Sequence, residues 1–257
     1  MVREKWYFNG YSLCTDEWNV ERVLEGLGVP GYRGSNIQVP FENGLRHIKK
    51  RYKSKQLILS MWVRGANMEI MDDNIDYLTK LFGMRGQHTL RRIMRSGEIR
   101  EAQAEVYGPV SFVPKRPGYC KFSVEFELAD PFFYGTDLTS QTKAIGSTEV
   151  AWTHSNPGTA PVTKAVITLN GPLDSPRLEN LDNEIWLKYQ GAIAAGETVV
   201  INTADFTCEK DGVNMISAIK HGGDAYWLTL EPGDNSMEVT TQETGGSIEI
   251  EYYPAYF

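Results

Sequence analysis

Cysteine is scarce. Cys14, Cys120 and Cys208 are odd in number and far apart, with no C-x-x-C and no histidine at ligand spacing. That spacing excludes a disulfide framework and a zinc site. A basic excess is missing as well: the 257 residues carry a formal net charge of -7 and a pI near 5.2. Proteins that live on phosphate contacts carry surplus cations, so wholesale nucleic-acid binding is excluded while a local basic patch is not. No apolar run reaches the length of a membrane span, and the opening M-V-R-E-K-W-Y-F-N-G lacks the apolar stretch of a signal peptide. No membrane span is expected, and the expected compartment is a reducing cytoplasm or an assembly built there.

Catalytic patterns are lacking too. The glycine-rich stretch 26–34 has no G-x-G-x-x-G between a strand and a helix, and neither G-x-S-x-G nor H-E-x-x-H occurs. His47, His88, His154 and His221 are scattered. The carboxylate pairs Glu125 with Glu127 and Glu249 with Glu251 alternate along strands and share one face, which is the pattern of a solvated sheet. A glycosidase needs two carboxylates on opposite sides of a sugar. No catalytic residue, cofactor or metal is assigned, and an enzyme is not expected.

What is present is hydrophobic content of 41% with 23% charged residues, enough for each half of the chain to bury a core. The stretch Phe122 to Tyr134 organises the rest. Phe122, Val124, Phe126 and Leu128 alternate with Ser123, Glu125 and Glu127, a strand with one buried face. Asp130-Pro131 ends it, because proline has no N–H for a ladder. The polar G-T-D-L-T-S-Q-T-K beyond reads as a linker. The expected division is residues 1–135, a linker at 136–147, and residues 148–257.

In the first part, Trp6 to Phe8 is an aromatic strand closed by Asn9-Gly10, a pair suited to a tight hairpin. Residues 20–44 read as a flexible arm followed by an extended segment, I-Q-V-P-F-E-N-G at 37–44. A strongly basic run follows: Arg46, Lys49, Lys50, Arg51, Lys53 and Lys55, with His47 among them. One reading is a solvated hairpin arm. The other is a surface that meets an acidic partner, protein or nucleic acid. Leu57 to Val63 reads as a buried strand. Asp72-Asp73 is the expected N-cap of a helix with an apolar stripe of Ile75, Leu78, Leu81 and Phe82, ended by Gly83. Thr89–Met94, Arg100–Tyr107 and Gly118–Leu128 are three further expected strands.

In the second part, strands are expected at Glu149–Thr153, Val162–Leu169, Glu184–Tyr189, Thr198–Ile201, Ala225–Leu230, Met237–Thr241 and Ser247–Tyr253, with turns at Asn156-Pro157-Gly158, Ala195-Gly196, Asp211-Gly212 and Pro232-Gly233. Strands at this spacing without a helical pattern indicate a β-sandwich. The fold class expected is mainly β with one short helix. Trp152, Trp186, Tyr189 and Trp227 could stack a sugar or form the core; Trp186, Tyr189 and Trp227 are the glycan candidates.

The run A-A-G-E-T-V-V-I-N-T at 194–203, D-G-V-N at 211–214 and W-L-T-L-E-P-G-D-N-S-M at 227–237 resembles the distal tail proteins of long-tailed bacteriophages. N-P-G-T-A-P-V at 156–162, Gly171 and Phe8-Asn9-Gly10 are similar to the same family. Where the family pattern has I-D-T, this chain has Ile201-Asn202-Thr203. The resemblance implies a virion component at the tail tip, assembled in the host cytoplasm, whose N-terminal domain forms a homo-hexameric ring. Such a ring joins the tail tube protein to the tip or baseplate hub, the tape-measure protein and a receptor-binding protein, and genome DNA passes through its lumen. A galectin-like sandwich would follow. The basic run would then be the family's long hairpin reaching the neighbouring subunit, or lining the channel. The signature segments of a sugar-binding galectin are not visible, so glycan binding does not follow from that fold. The alternative is a stand-alone carbohydrate-binding sandwich that contacts host-surface glycans, a monomer with exposed tryptophans along a groove.

Overall fold

The computed structural model describes residues 4–38, 40, 43–116, 118–224 and 226–257, with residues 114–116 described by backbone alone. Val39, Phe41 and Glu42 of the expected extended segment, and Ala225 at the head of one expected strand, lie outside the described residues. Among the described residues the chain is mainly β with one α-helix, and it divides into two units, residues 1–133 with Phe257, and residues 134–256.

The first unit contains β1 (Lys5–Phe8), β2 (Tyr11–Ser12), β3 (Trp18–Glu25), β4 (Tyr32–Arg33), β5 (Arg51–Tyr52), β6 (Lys55–Arg64), α1 (Met68–Phe82), β7 (His88–Ile93), β8 (Ile99–Val106), β9 (Val113–Arg116) and β10 (Tyr119–Leu128). Its sheet runs β2-β1-β7-β8-β10-β6-β3, with β9 on β10. Asn9 and Gly10 both hold positive φ, 49° and 80°, which is the turn that the twist of a two-residue hairpin favours. β10 pairs with β6 along its whole length, from Tyr119 opposite Arg64 to Leu128 opposite Lys55. Period-two burial follows: Leu57, Leu59, Met61 and Val63 on β6 and Phe122, Val124, Phe126 and Leu128 on β10 are all buried. Phe8, Phe82 and Phe126 meet at ring-centroid distances of 5.1–6.4 Å, which fastens the helix end to the sheet.

The helix corrects the sequence reading. It starts at Met68, and its cap is Asn67, whose side chain accepts from the Ile70 N–H at 2.8 Å. Such a cap contributes about 1 kcal/mol. Asp72 and Asp73 lie inside the helix, exposed. Met71, Leu78, Leu81 and Phe82 form the buried stripe, and Ile75 is only half-buried.

β11 (Phe133–Gly135) leads into the second unit, which contains β12 (Thr139–Ala144), β13 (Glu149–Asn156), β14 (Val166–Asn170), β15 (Leu173–Asp174), β16 (Arg177–Asn180), β17 (Ile185–Tyr189), β18 (Ala192–Ile193), β19 (Thr198–Asn202), β20 (Thr207–Lys210), β21 (Val213–Asn214), β22 (Ile219–Gly222), β23 (Gly233–Thr240), β24 (Ser247–Tyr252) and β25 (Ala255–Tyr256). One sheet runs β12-β24-β14-β19-β20-β21 and the other β13-β23-β16-β17-β22. Ile167, Leu169, Ile201 and Ile248 from the first line a shared interior gap with Leu178, Leu187 and Tyr189 from the second, so the two sheets form a sandwich. The expected linker is largely strand: Thr139 to Ala144 pairs with Tyr252 to Ser247 at the sheet's edge. The expected strand at 225–230 is absent among the described residues, where only Leu230 forms an isolated bridge, to Val162.

Candidate functional site

The basic run belongs to a hairpin arm that leaves the end of β3. At Gly26 the chain turns with φ +95°, and a Cβ there would meet the Gln56 carbonyl oxygen at 2.2 Å and the Leu57 Cα at 2.6 Å. Only glycine serves both the conformation and the approach. The arm is closed at its base by the Lys53 N–H donating to the Gly31 carbonyl at 2.8 Å. Above that, Tyr32 opposes Tyr52 and Arg33 opposes Arg51. The Tyr32 ring stacks on Tyr52 at 5.1 Å, and Tyr52 meets Phe132 at 5.4 Å and Phe257 at 5.5 Å. Four aromatic rings therefore hold the root. Further out, Ile37 and Arg46 exchange both backbone bonds, at 3.0 and 2.8 Å.

This arm is poorly covered. Leu27, Val29, Tyr32, Ile37, Leu45 and Ile48 are all exposed, Val29 and Leu45 at 62%. A run of apolar side chains left in water on one protruding hairpin marks a surface that meets something else. Arg46, His47, Lys49 and Lys53 are exposed beside them, while Lys50 and Arg51 are half-buried. A hollow of about 420 Å³ lies at the root, between Glu25–Gly31 and Lys53–Gln56.

Lys55 departs from the expected surface role. It shares the core-facing parity of β6 with Leu57 and is 5% exposed, and its Nζ has no hydrogen-bond partner among the described residues. Burial pushes the ammonium down to about 8, helped by the nearby Arg92 cation. Arg92 itself is satisfied by Glu4 at 3.0 Å and lies over the Trp6 ring at 5.3 Å.

The glycan candidates do not form an exposed platform. Ile185, Leu187 and Tyr189 point into the sandwich on β17, and Tyr189 is 2% exposed. Trp186 points the other way, half-buried, with the Arg177 guanidinium 4.9 Å above its ring and the Gly222 backbone beneath. Trp227 is buried beside Phe206 and His221. Alternation along one strand cannot put Trp186 and Tyr189 on the same face.

The motif residues of the second unit hold loops to sheets. Asn235 is fully buried: its Oδ1 accepts from Asn180 Nδ2 and the Glu231 N–H, and its Nδ2 donates to the Glu231 and Gly233 carbonyls at 2.8 and 3.0 Å. Asn156 Oδ1 accepts from the Gly158 N–H, and its Nδ2 donates to the Ala160 and Leu230 carbonyls. Asn202, which stands where the family pattern has Asp, accepts from the Ala204 N–H at 2.9 Å through Oδ1, an atom a carboxylate would supply equally. Gly171 sits where a Cβ would fall 2.0 Å from the Ala194 carbonyl oxygen. His154 is buried with its Nε2 3.2 Å from the Tyr252 hydroxyl, which in turn donates to the Ser155 carbonyl. Burial pulls the His154 imidazolium below the usual range.

Residues 157–256 match the siphovirus-type tail component C-terminal domain family. The second unit thus resembles the C-terminal domain of siphovirus-type tail components. The structure of the phage SPP1 Dit protein, described as a paradigm of the hub adsorption apparatus in phages that infect Gram-positive bacteria, superposes with a TM-score of 0.68 at 16% identity, over 98% of this chain and 99% of that one. Two structures of the phage p2 baseplate in its activated conformation, with Sr and with Ca, give 0.45 at 10% identity over 98% of both chains. Among curated protein sequences none matches. The described residues contain no cluster of metal-ligating side chains, and none of the three cysteines forms a disulfide among them.

Two features escaped the sequence reading. One is the burial of Lys55, which its parity with Leu57 could have signalled. The other is an acidic face on α1, formed by Glu69, Asp72, Asp73 and Asp76, concealed while Asp72 and Asp73 were assigned to the cap.

Proposed function

We propose that this protein is a structural part of the virion, a Dit-like distal tail protein whose first unit forms a hexameric ring joining the tail tube to the tip or baseplate. The observation that carries the reading is the arm at 26–54, fixed at its root by four aromatic rings and exposing apolar and cationic side chains along its length. An isolated monomer gains nothing from such an arm; a neighbour that covers it does. The partners on this reading are further copies of the chain, the tail tube protein, the tail-tip hub and tape-measure proteins, and a receptor-binding protein. Genome DNA passes through the lumen, and no catalytic activity is required.

Light-scattering mass with negative-stain images of the purified protein, alone and with its tail partners, tests the ring. Six-fold rings are expected, and a monomer under every condition refutes the reading. Reversal of Lys49, Lys50 and Arg51 together is expected to abolish assembly and infectivity while circular dichroism stays unchanged. Full infectivity of that variant would make the basic arm a solvated hairpin.

A further inference from the structure

The first unit carries opposite charges at opposite ends. Glu69, Asp72, Asp73 and Asp76 follow i, i+3, i+4, i+7, and at about 100° per residue they fall on one side of α1, opposite the buried stripe of Met71, Leu78, Leu81 and Phe82. All four are exposed, and none has an ion-pair partner among the described residues. Met68 and Ile70, exposed at 48% and 41%, add apolar surface to the same turns. The helix follows β6 directly, and Asn74 Nδ2 donates to the Arg64 carbonyl at 2.9 Å, which holds these turns at the Arg64 end of that strand. The arm leaves from the other end, where Gly26 packs on Gln56 and Leu57. Ten residues of β6 separate the two ends, roughly 30 Å at the rise of a strand. Lys80, the cation on the helix's last turn, shares that side one turn beyond Asp76, without an ion pair to it among the described residues, and leaves the first three turns wholly acidic.

A surface and its complement placed at opposite ends of one domain make a heterologous, head-to-tail contact, which closes into a ring when the rotation per subunit allows. We propose that the acidic outer face of α1 in one copy is the docking surface for the cationic arm of the next copy. The arm's Lys50 and Lys53 and its apolar Ile37, Leu45 and Ile48 would meet Glu69, Asp72, Asp73 and Asp76, with Met68 and Ile70 on the two flanks. This rests on the ring reading above and specifies the surface that receives the arm. Charge complementarity sets the register, and burial of the apolar residues on both sides supplies the attraction.

The test uses two full-length variants. One has the arm reversed, Lys49→Glu, Lys50→Glu and Lys53→Glu; the other has the helix reversed, Asp72→Lys, Asp73→Lys and Asp76→Lys. Each alone presents like charges at every contact and is expected to associate at least roughly tenfold more weakly than wild type. Mixed in equal amounts they are complementary at every contact, so native mass spectrometry is expected to find wild-type-sized rings with strict 1:1 alternation. Added salt is expected to weaken both the wild-type and the mixed rings. Circular dichroism of each variant confirms folding, and the mixture reports docking even when one variant is slightly destabilised. Wild-type rings with no recovery on mixing overturn this docking and leave the ring reading standing. Either reversed variant assembling like wild type does the same. Wild-type chains that never self-associate overturn both.

Discussion

Replacing Lys55 by Met should stabilise the isolated protein, although it removes a charged group. The side chain is 5% exposed with an unpartnered Nζ, and its ionisation is displaced from the ordinary 10.5 to about 8. At about 1.4 kcal/mol per pH unit, that displacement corresponds to about 3 kcal/mol by which the folded state disfavours the ammonium at neutral pH. The sign follows from proton counts. Between pH 8 and 10.5 the unfolded chain holds the proton and the folded chain has lost it, so wild-type stability rises with pH through that window. Met fills a similar volume without the charge. The advantage of Lys55→Met should therefore be about 3 kcal/mol at pH 7 and shrink towards pH 10.5. The other groups that titrate at high pH, such as Cys208 at about 11 and Tyr252 at about 12, cancel in the difference between variant and wild type. Because the two units need not unfold together, hydrogen exchange of the β6 amides at pH 7, with urea titrations across pH 7 to 10.5, isolates the effect. A variant no more stable than wild type, or an advantage independent of pH, would refute the reasoning.

Three further outcomes are expected. Asn235→Ala leaves the Glu231 N–H, the Glu231 and Gly233 carbonyls and Asn180 short of partners, and should cost the sandwich about 3 kcal/mol in urea unfolding. Gly26→Ala should destabilise the first unit by about 2 kcal/mol or more, read as a lowered Tm, because its Cβ would meet the Gln56 carbonyl and Leu57 Cα. Acid should weaken the sandwich through His154: its lowered folded ionisation means the unfolded chain takes up the proton first, so stability falls as pH drops below 6.5, and His154→Gln should flatten that slope.

Strands with one buried face were legible because alternation is a direct image of the pleat. β10 and β6 read correctly for that reason. Thr139–Ala144 did not, because an edge strand of T-S-Q-T-K-A covers only half of alternate side chains and offers no apolar period. The opposite error fell on W-L-T-L at 227–230, apolar enough for a strand yet a loop. Beyond the single bridge of Leu230 to Val162, its carbonyls find side-chain amides and not a continuing ladder: Asn180 and Asn183 donate to Thr229, and Asn156 donates to Leu230. At the arm, the basic run and the glycines announced an excursion, but not its extent. The tyrosines that fix its root, Tyr32 and Tyr52, lie 20 positions apart, and only the fold pairs them. The helix was found by its apolar stripe, while its start was misplaced because Asn67 and Asp72 are equally good caps by type.

The connectivity of the second unit also controls when it can fold. Its first two strands are stitched to two of its last three, Thr139–Ala144 to Ser247–Tyr252 and Glu149–Asn156 to Gly233–Thr240. During synthesis the leading strands must wait, unpaired on those edges, until roughly a hundred further residues have left the ribosome, and loop closure over that length is slow. A ribosome that stalls short of Ser247 therefore yields a sandwich open along one side, a substrate for proteases and not a building block.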